Sequence, residues 1–138
     1  MSKDFHFDPE TAADNILFIF EAVIKRFEQN DLAVSRYDSE RGDLDHMIEL
    51  TSYNAAEGYQ LVKNVRENRR ARRICKDENL VLKPIYDFIR SNNDKLLKDM
   101  KVIARETEKK ASYRDNQKYH PRTAIISVDD FNKKRVKL

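Results

Sequence analysis

An apolar seam at coiled-coil spacing fails abruptly in the middle of this chain. Leu44, Ile48, Thr51, Ala55, Gly58, Val62 and Val65 follow one another at alternating steps of three and four residues, and the next positions are Arg69, Arg72 and Lys76. Such a seam needs small or apolar side chains against its partner helix, and a buried charge without a counter-ion is costly. Either the partner helix ends near Val65 or an anion meets these arginines.

Composition narrows the fold. Charged residues make up 37% of the 138, and glycine occurs twice. That mixture suits long helices with solvated outer faces and argues against a sandwich or a barrel. The length fits one domain, 1–138, with a helical core over 9–110 and a C-terminal loop and β element over 111–138. The expected class is mainly α: long antiparallel, coiled-coil-like helices with a small C-terminal β-hairpin.

Asp8-Pro9-Glu10 reads as a helix start, with a capping carboxylate, proline at the first position and an acid in the first turn. Ile16, Phe20, Val23, Ile24 and Phe27 continue it as an amphipathic helix over about 9–30. The stretch 31–43, with Ser35, Ser39 and Gly42, reads mostly as a connection, and a second helix is expected from about 43 to 91. Pro84 should break or bend it between 77 and 84. Ser91-Asn92-Asn93-Asp94 is turn and cap chemistry, after which Leu96, Leu97, Met100, Ile103 and Thr107 mark another helix. Thr123 to Val128 is β-rich, with Asp129-Asp130 as a turn and Val136 in a returning strand.

The single cysteine, Cys75, excludes an internal disulfide and points to a reducing compartment. Met1-Ser2-Lys3-Asp4 lacks the apolar core of a signal peptide, and the apolar run 16–24 is too short to span a membrane. A soluble, cytoplasmic protein is expected. No nucleophile–base set, glycine-rich phosphate loop or metal-ligand pattern stands out. His46 with Asp43, Asp45 and Glu49 reads as a solvated helix turn, so neither catalysis nor a cofactor is expected. Gly58, between Ala55 and Val62, leaves room for a tight crossing with another helix, in the same subunit or from a second copy.

The net charge of +3 conceals a local excess: residues 66–76 hold Arg66, Arg69, Arg70, Arg72, Arg73 and Lys76 against Glu67. Three readings stay open for this cluster. It is a solvated face paired with nearby acids, a phosphate-neutralising nucleic-acid surface, or part of a pocket whose guanidinium forks grip a small phosphorylated ligand. In the third reading Phe88, Tyr86, Asn92 and Asn93 supply stacking and amide groups, and Arg114, Tyr119 and Arg122 close the pocket from the C-terminal segment. At about 100° per residue the four arginines of 69–73 fan too widely for one small ligand. Arg69, Arg72 and Arg73 cluster, and Arg70 lies at the edge of the fan.

Tyr53-Asn54-Ala55-Ala56-Glu57-Gly58-Tyr59, Arg69-Arg70, Arg73, Lys76-Asp77-Glu78, Pro84-Ile85, Tyr113-Arg114 and Tyr119-His120-Pro121-Arg122-Thr123 together resemble small helical proteins from phages of Gram-positive bacteria. The resemblance is in particular to the anti-Thoeris sponge proteins, which sequester cyclic ADP-ribose signals. It implies a non-enzymatic homo-oligomer, a dimer or larger, in the cytoplasm of the infected cell. It further implies a phosphate grip from arginines such as Arg114 and Arg122, with Phe88 and Asn92 against the adenine. The ligand-binding residues expected overall are Arg69, Arg73, Phe88, Asn92, Arg114, Tyr119 and Arg122. The alternatives are a nucleic-acid-binding accessory protein and a helical module that docks on a host protein.

Overall fold

In a computed structural model, residues 7–118 are described, apart from the side chain of Asn92. They form two long helices, α1 (Ala12–Leu50) and α2 (Ala55–Asn116), joined by residues 51–54. The expected mainly helical class is therefore observed. The C-terminal hairpin, Tyr119 and Arg122 lie outside the described residues.

Both helix starts are capped by side chains. Asp8 accepts from the Glu10 amide at 3.1 Å and from the Thr11 hydroxyl at 3.1 Å, ahead of α1. At α2, Asn54 Oδ1 accepts from the Glu57 amide at 2.8 Å while Glu57 Oε1 accepts from Asn54 Nδ2 at 3.1 Å. This reciprocal pair occupies two donors and fixes the start of α2 at the end of the short turn.

The chain divides into two compact units. One contains residues 18–98, and in it the two helices run antiparallel through a narrow core. Ile24, Leu61 and Ile89 are its buried apolar residues, and Ile89 alone is at 0% exposure. The Phe27 and Tyr86 rings stack with centroids 3.9 Å apart and planes 13° from parallel. In the other unit, which takes residues up to 17 and from 99, Ala13, Met100 and Ala104 are buried, and Glu10 pairs with Arg114.

Several expectations are corrected, among them a separate helix after Asp94, since α2 runs unbroken to Asn116. Residues 31–43 are helix, not a connection, because Val34, Tyr37, Arg41 and Leu44 carry the inward face of α1 on from Phe27 and Asn30. Packing on α2 outweighs the weak local propensity of Ser35, Ser39 and Gly42. The chain reverses instead at 51–54, so Thr51 cannot belong to a continuous seam. Gly58 accordingly faces the Tyr53 ring of its own turn, where an added Cβ would stand 3.2 Å from the ring.

The expected break before Pro84 does not occur, and α2 is continuous through it. Pro84 and Leu80 are both exposed, so the carbonyl deprived of its donor lies where water can reach it. The departure from helical backbone comes later, at Asn93 (φ 55°) and Asp94 (φ 61°), inside the turn-like Ser91–Asp94 stretch. These are the two residue types, after glycine, that best tolerate the left-handed region. Arg90 reaches forward across this point to Asp94 Oδ2 at 3.0 Å and across to Glu28 on α1 at 2.7 Å.

The seam itself shifts by one residue on alternate positions. The inward stripe of α2 is Leu61, Val65, Asn68, Arg72, Cys75, Asn79, Leu82, Tyr86 and Ile89. Leu61 is 7% exposed and its neighbour Val62 is 65% exposed. The sequence pattern conceals this because two inward positions are asparagines.

Candidate functional site

The question raised by the arginines is answered from within the unit. Asp38 of α1, in the stretch expected to be a connection, accepts from Arg72 Nε at 2.6 Å and from Arg69 Nη2 at 3.2 Å. Arg69 also donates to Asn68 Oδ1 through Nε at 3.2 Å and Nη2 at 3.1 Å. The hydrogen bond from Arg72, then that from Arg69, hold the Asp38 carboxyl below its ordinary value against the opposing effect of desolvation.

Flanking this pair, two buried asparagines clasp the helices. Asn68 Nδ2 donates to the Tyr37 carbonyl at 2.9 Å and to Glu40 at 3.3 Å. Asn79 Nδ2 donates to the Phe27 carbonyl at 3.0 Å and to Asp31 at 3.1 Å, while its Oδ1 accepts from Asn30 at 2.8 Å. Asn30 also donates to Glu78 at 3.0 Å, and Glu78 pairs with Arg26.

The hydrogen bond from Arg26, then that from Asn30, lower the Glu78 carboxyl from 4.5 to about 2. A carboxylate depressed in the folded state contributes stability that is fully present above its unfolded value and is lost as pH falls through its folded one. The melting temperature is therefore expected to decline as pH drops from about 4.5 toward 2. In Glu78→Gln, with Asp38 left intact, thermal melts across that window should decline less steeply.

The residues expected to bind ligand do not gather into one pocket. Arg69 is engaged by Asp38, and Arg73 lies 3.9 Å from Asp77 one turn on. Phe88 is exposed on the outer side of α2, 15 positions beyond Arg73, or roughly 22 Å along a helix. Arg114, in the other unit, is paired with Glu10 and with Asp115, and both partners raise its pKa. The side chain of Asn92 is not described, and Tyr119 and Arg122 lie outside the described residues.

Two open grooves lie between the helices. One, of about 490 Å³, is lined by Tyr37, Glu40, Asp43, Leu44, Glu67 and Asn68 among others. The second, of about 330 Å³, includes Glu21, Lys25, Glu28 and Arg90, the last already paired. The carboxylates of the larger groove oppose a phosphorylated ligand, so neither groove offers a ready anion pocket.

Free positive charge lies instead on the outer face of α2. Lys63, Arg66 and Arg70 are exposed and have no ion-pair or hydrogen-bond partner among the described residues, and Arg73 is held only by the long contact to Asp77. At 100° per residue these four fall within an arc of about 80°, forming a ridge about 15 Å long. The exposed Tyr59 ring sits one turn before Lys63. The spacing of basic residues by three and four was the available signal, but the seam assignment directed attention to the inward arginines.

Among the described residues no cluster of histidine, cysteine and carboxylate is placed to hold a metal, and no helix is long and apolar enough to cross a membrane. Comparison of the chain with protein-family models, with curated proteins and with solved structures finds no match.

Proposed function

We propose that this protein acts by binding without turnover, sequestering a cyclic nucleotide immune signal of the cyclic ADP-ribose type, as do the phage anti-defence proteins it resembles. The observation that carries the reading is the unpaired couple Arg66 and Arg70. The Cβ atoms of two arginines four residues apart on one helix face stand roughly 6 Å from each other, close enough for both guanidinium forks to reach the adjacent phosphates of a pyrophosphate. Tyr59, about two turns before Arg66 on the same face, offers an exposed ring for an adenine. Each charge-assisted contact is worth about 1.5–3 kcal/mol, and strong ground-state binding serves sequestration where it would not accelerate a reaction.

A second reading, nucleic-acid binding, is favoured by the linear order of the ridge. Four cations in line along a helix also match successive phosphates of a strand. That reading expects binding to any sequence, weakening with salt by about 0.9 log units per log unit of salt for each phosphate contacted on a duplex.

A thermal-shift panel of cyclic ADP-ribose isomers, cyclic oligonucleotides and short single- and double-stranded DNA separates the two. A cyclic ADP-ribose isomer at a hundredfold excess over its Kd is expected to stabilise the protein by about 2.7 kcal/mol. The joint Arg66→Ala, Arg70→Ala variant should abolish that shift while keeping its own melting temperature. Arg114→Ala and Arg122→Ala test the grip that the resemblance implies. A panel in which no nucleotide raises the melting temperature discards the sequestration reading.

A further inference from the structure

We propose that the outer face of α2 between Ile74 and Phe88 pairs antiparallel with the same face of a second copy, on a two-fold axis near Val81. Ile74, Leu80, Val81, Ile85 and Phe88 are all exposed, Val81 at 77% and Phe88 at 60%. Ile74, Val81 and Phe88 recur at seven-residue intervals and lie within an arc of about 40°, with Ile85 beside them and Leu80 on one flank. The stripe that packs on α1, from Leu61 through Asn79 to Ile89, occupies the opposite side of the helix. A helix with two apolar stripes back to back needs two neighbours, and α1 covers only one.

Area, symmetry and charge favour a second copy as the missing neighbour. The five side chains expose roughly 600 Å² per copy, at the top of what an ordinary monomer leaves in one patch. Buried in full on both copies, that reaches at most about 1,200 Å², the lower edge of specific interfaces. In the antiparallel register Val81 meets the partner's Val81, and Ile74 meets the partner's Phe88. Along the flank occupied by Arg73, Leu80 and Asp87, Arg73 comes beside the partner's Asp87, and the same contact repeats at the other end. Arg73 is held only by the 3.9 Å contact to Asp77, which lies on the same face, so its fork can serve Asp77 and the partner's Asp87 together, and the Lys83–Asp87 pair is exposed. A parallel pair would instead set Lys63 and Arg70 against their own copies, a like-charge arrangement.

The register also bears on the ligand. Arg73 and Phe88 are far apart on one helix, yet the pair sets the partner's Phe88 beside Ile74 and Arg73, one turn from Arg70. A ring and the guanidinium of Arg70 would then meet across the interface, with Arg73 held by the partner's Asp87. This last step rests on the nucleotide reading above, whereas the pairing itself does not.

Sedimentation velocity of the full chain, without nucleotide, over about 1–100 µM tests the pairing. A dimer is expected, and Val81→Glu should weaken it on the order of tenfold or more with helical circular dichroism unchanged, since Val81 bears no part of the inner core. Arg73→Glu and Asp87→Arg should each weaken it, and the two together should restore it. A chain that stays monomeric at the highest concentration overturns the proposal, as does a dimer indifferent to Val81→Glu or a charge exchange that does not restore pairing. A monomer that co-sediments with anionic phospholipid vesicles also overturns it and assigns the stripe to a lipid surface. Loss of nucleotide binding in Arg66→Ala with the dimer intact would separate the ligand site from the pairing.

Discussion

Ile89→Ala is expected to lower the unfolding free energy by about 2–5 kcal/mol, the range for truncating a buried isoleucine whose surroundings relax only in part. Ile89 is the one large side chain fully enclosed among the described residues, next to the stacked Phe27 and Tyr86 rings along the seam. The unit's other buried apolar residues, Ile24 and Leu61, are one per helix, so little else compensates for the void. Urea unfolding monitored by circular dichroism gives the measurement. Val62→Ala is the matched control: one residue from Leu61 but exposed, it should shift stability by no more than about 0.5 kcal/mol. A large loss at Val62 with little loss at Ile89 would mean that the inward stripe is assigned one residue out of register.

Asn79→Ala should cost about 1–3 kcal/mol for a different reason. Asn79 is 8% exposed and bonds to Asn30, to Asp31 and to the Phe27 carbonyl. Its removal takes a partner from the buried Asn30 amide without returning water to it. Replacing both members, Asn30→Leu with Asn79→Leu, should cost less than the single change or raise stability, because both buried amides go together and the acceptors left behind keep other partners. Glu78 is held by Arg26, Asp31 is exposed to water and the Phe27 carbonyl lies within α1. The double variant should also lose some definition of register, a role attested for buried polar pairs in apolar seams, with Asn68 on the Tyr37 carbonyl left as the remaining asparagine clasp. A double variant less stable than Asn79→Ala would show that the asparagines contribute packing that leucine cannot supply.

These two experiments mark where local pattern and folded structure part. The periodicity of Ile16, Phe20, Ile24 and Phe27 and the capping chemistry of Asp8 announced helix, and α1 begins there. Asn93 and Asp94 carried turn chemistry and take left-handed backbone. Pro84 carried a breaker's signature, yet the helix passes through it, because that signature measures a local cost and not whether water can offset it. The stretch 31–43 looked like a connection because of Ser35, Ser39 and Gly42, although its charged residues are in structural use: Asp38 meets Arg69 and Arg72, and Arg41 meets Asp45 at 2.8 Å.

The candidate site was legible in part. The density of arginine over 66–73 was plain, and an anion at the inward members was one of the two alternatives it left. Which arginines are satisfied and which are free depends on the register of α1 against α2, and a helix does not encode its neighbour's register locally.

By itself the sequence determined that the chain is mainly helical, where its first helix starts, and that at the arginines either the partner helix ends or an anion meets them. Only the tertiary structure decided that the chain reverses at 51–54, that Asp38 supplies the neutralising charge, and that Asn68 and Asn79 face inward. The physical reason is that helix formation and capping are settled by bonds within a few residues. The sign of a buried position, apolar or hydrogen-bonded polar, is settled by a partner 30 to 50 residues away, as with Asn68 on Tyr37 and Asn79 on Asn30. The arginine run accordingly divides: Arg69 and Arg72 belong to the fold, and Arg66 and Arg70 remain available to an anion from outside it.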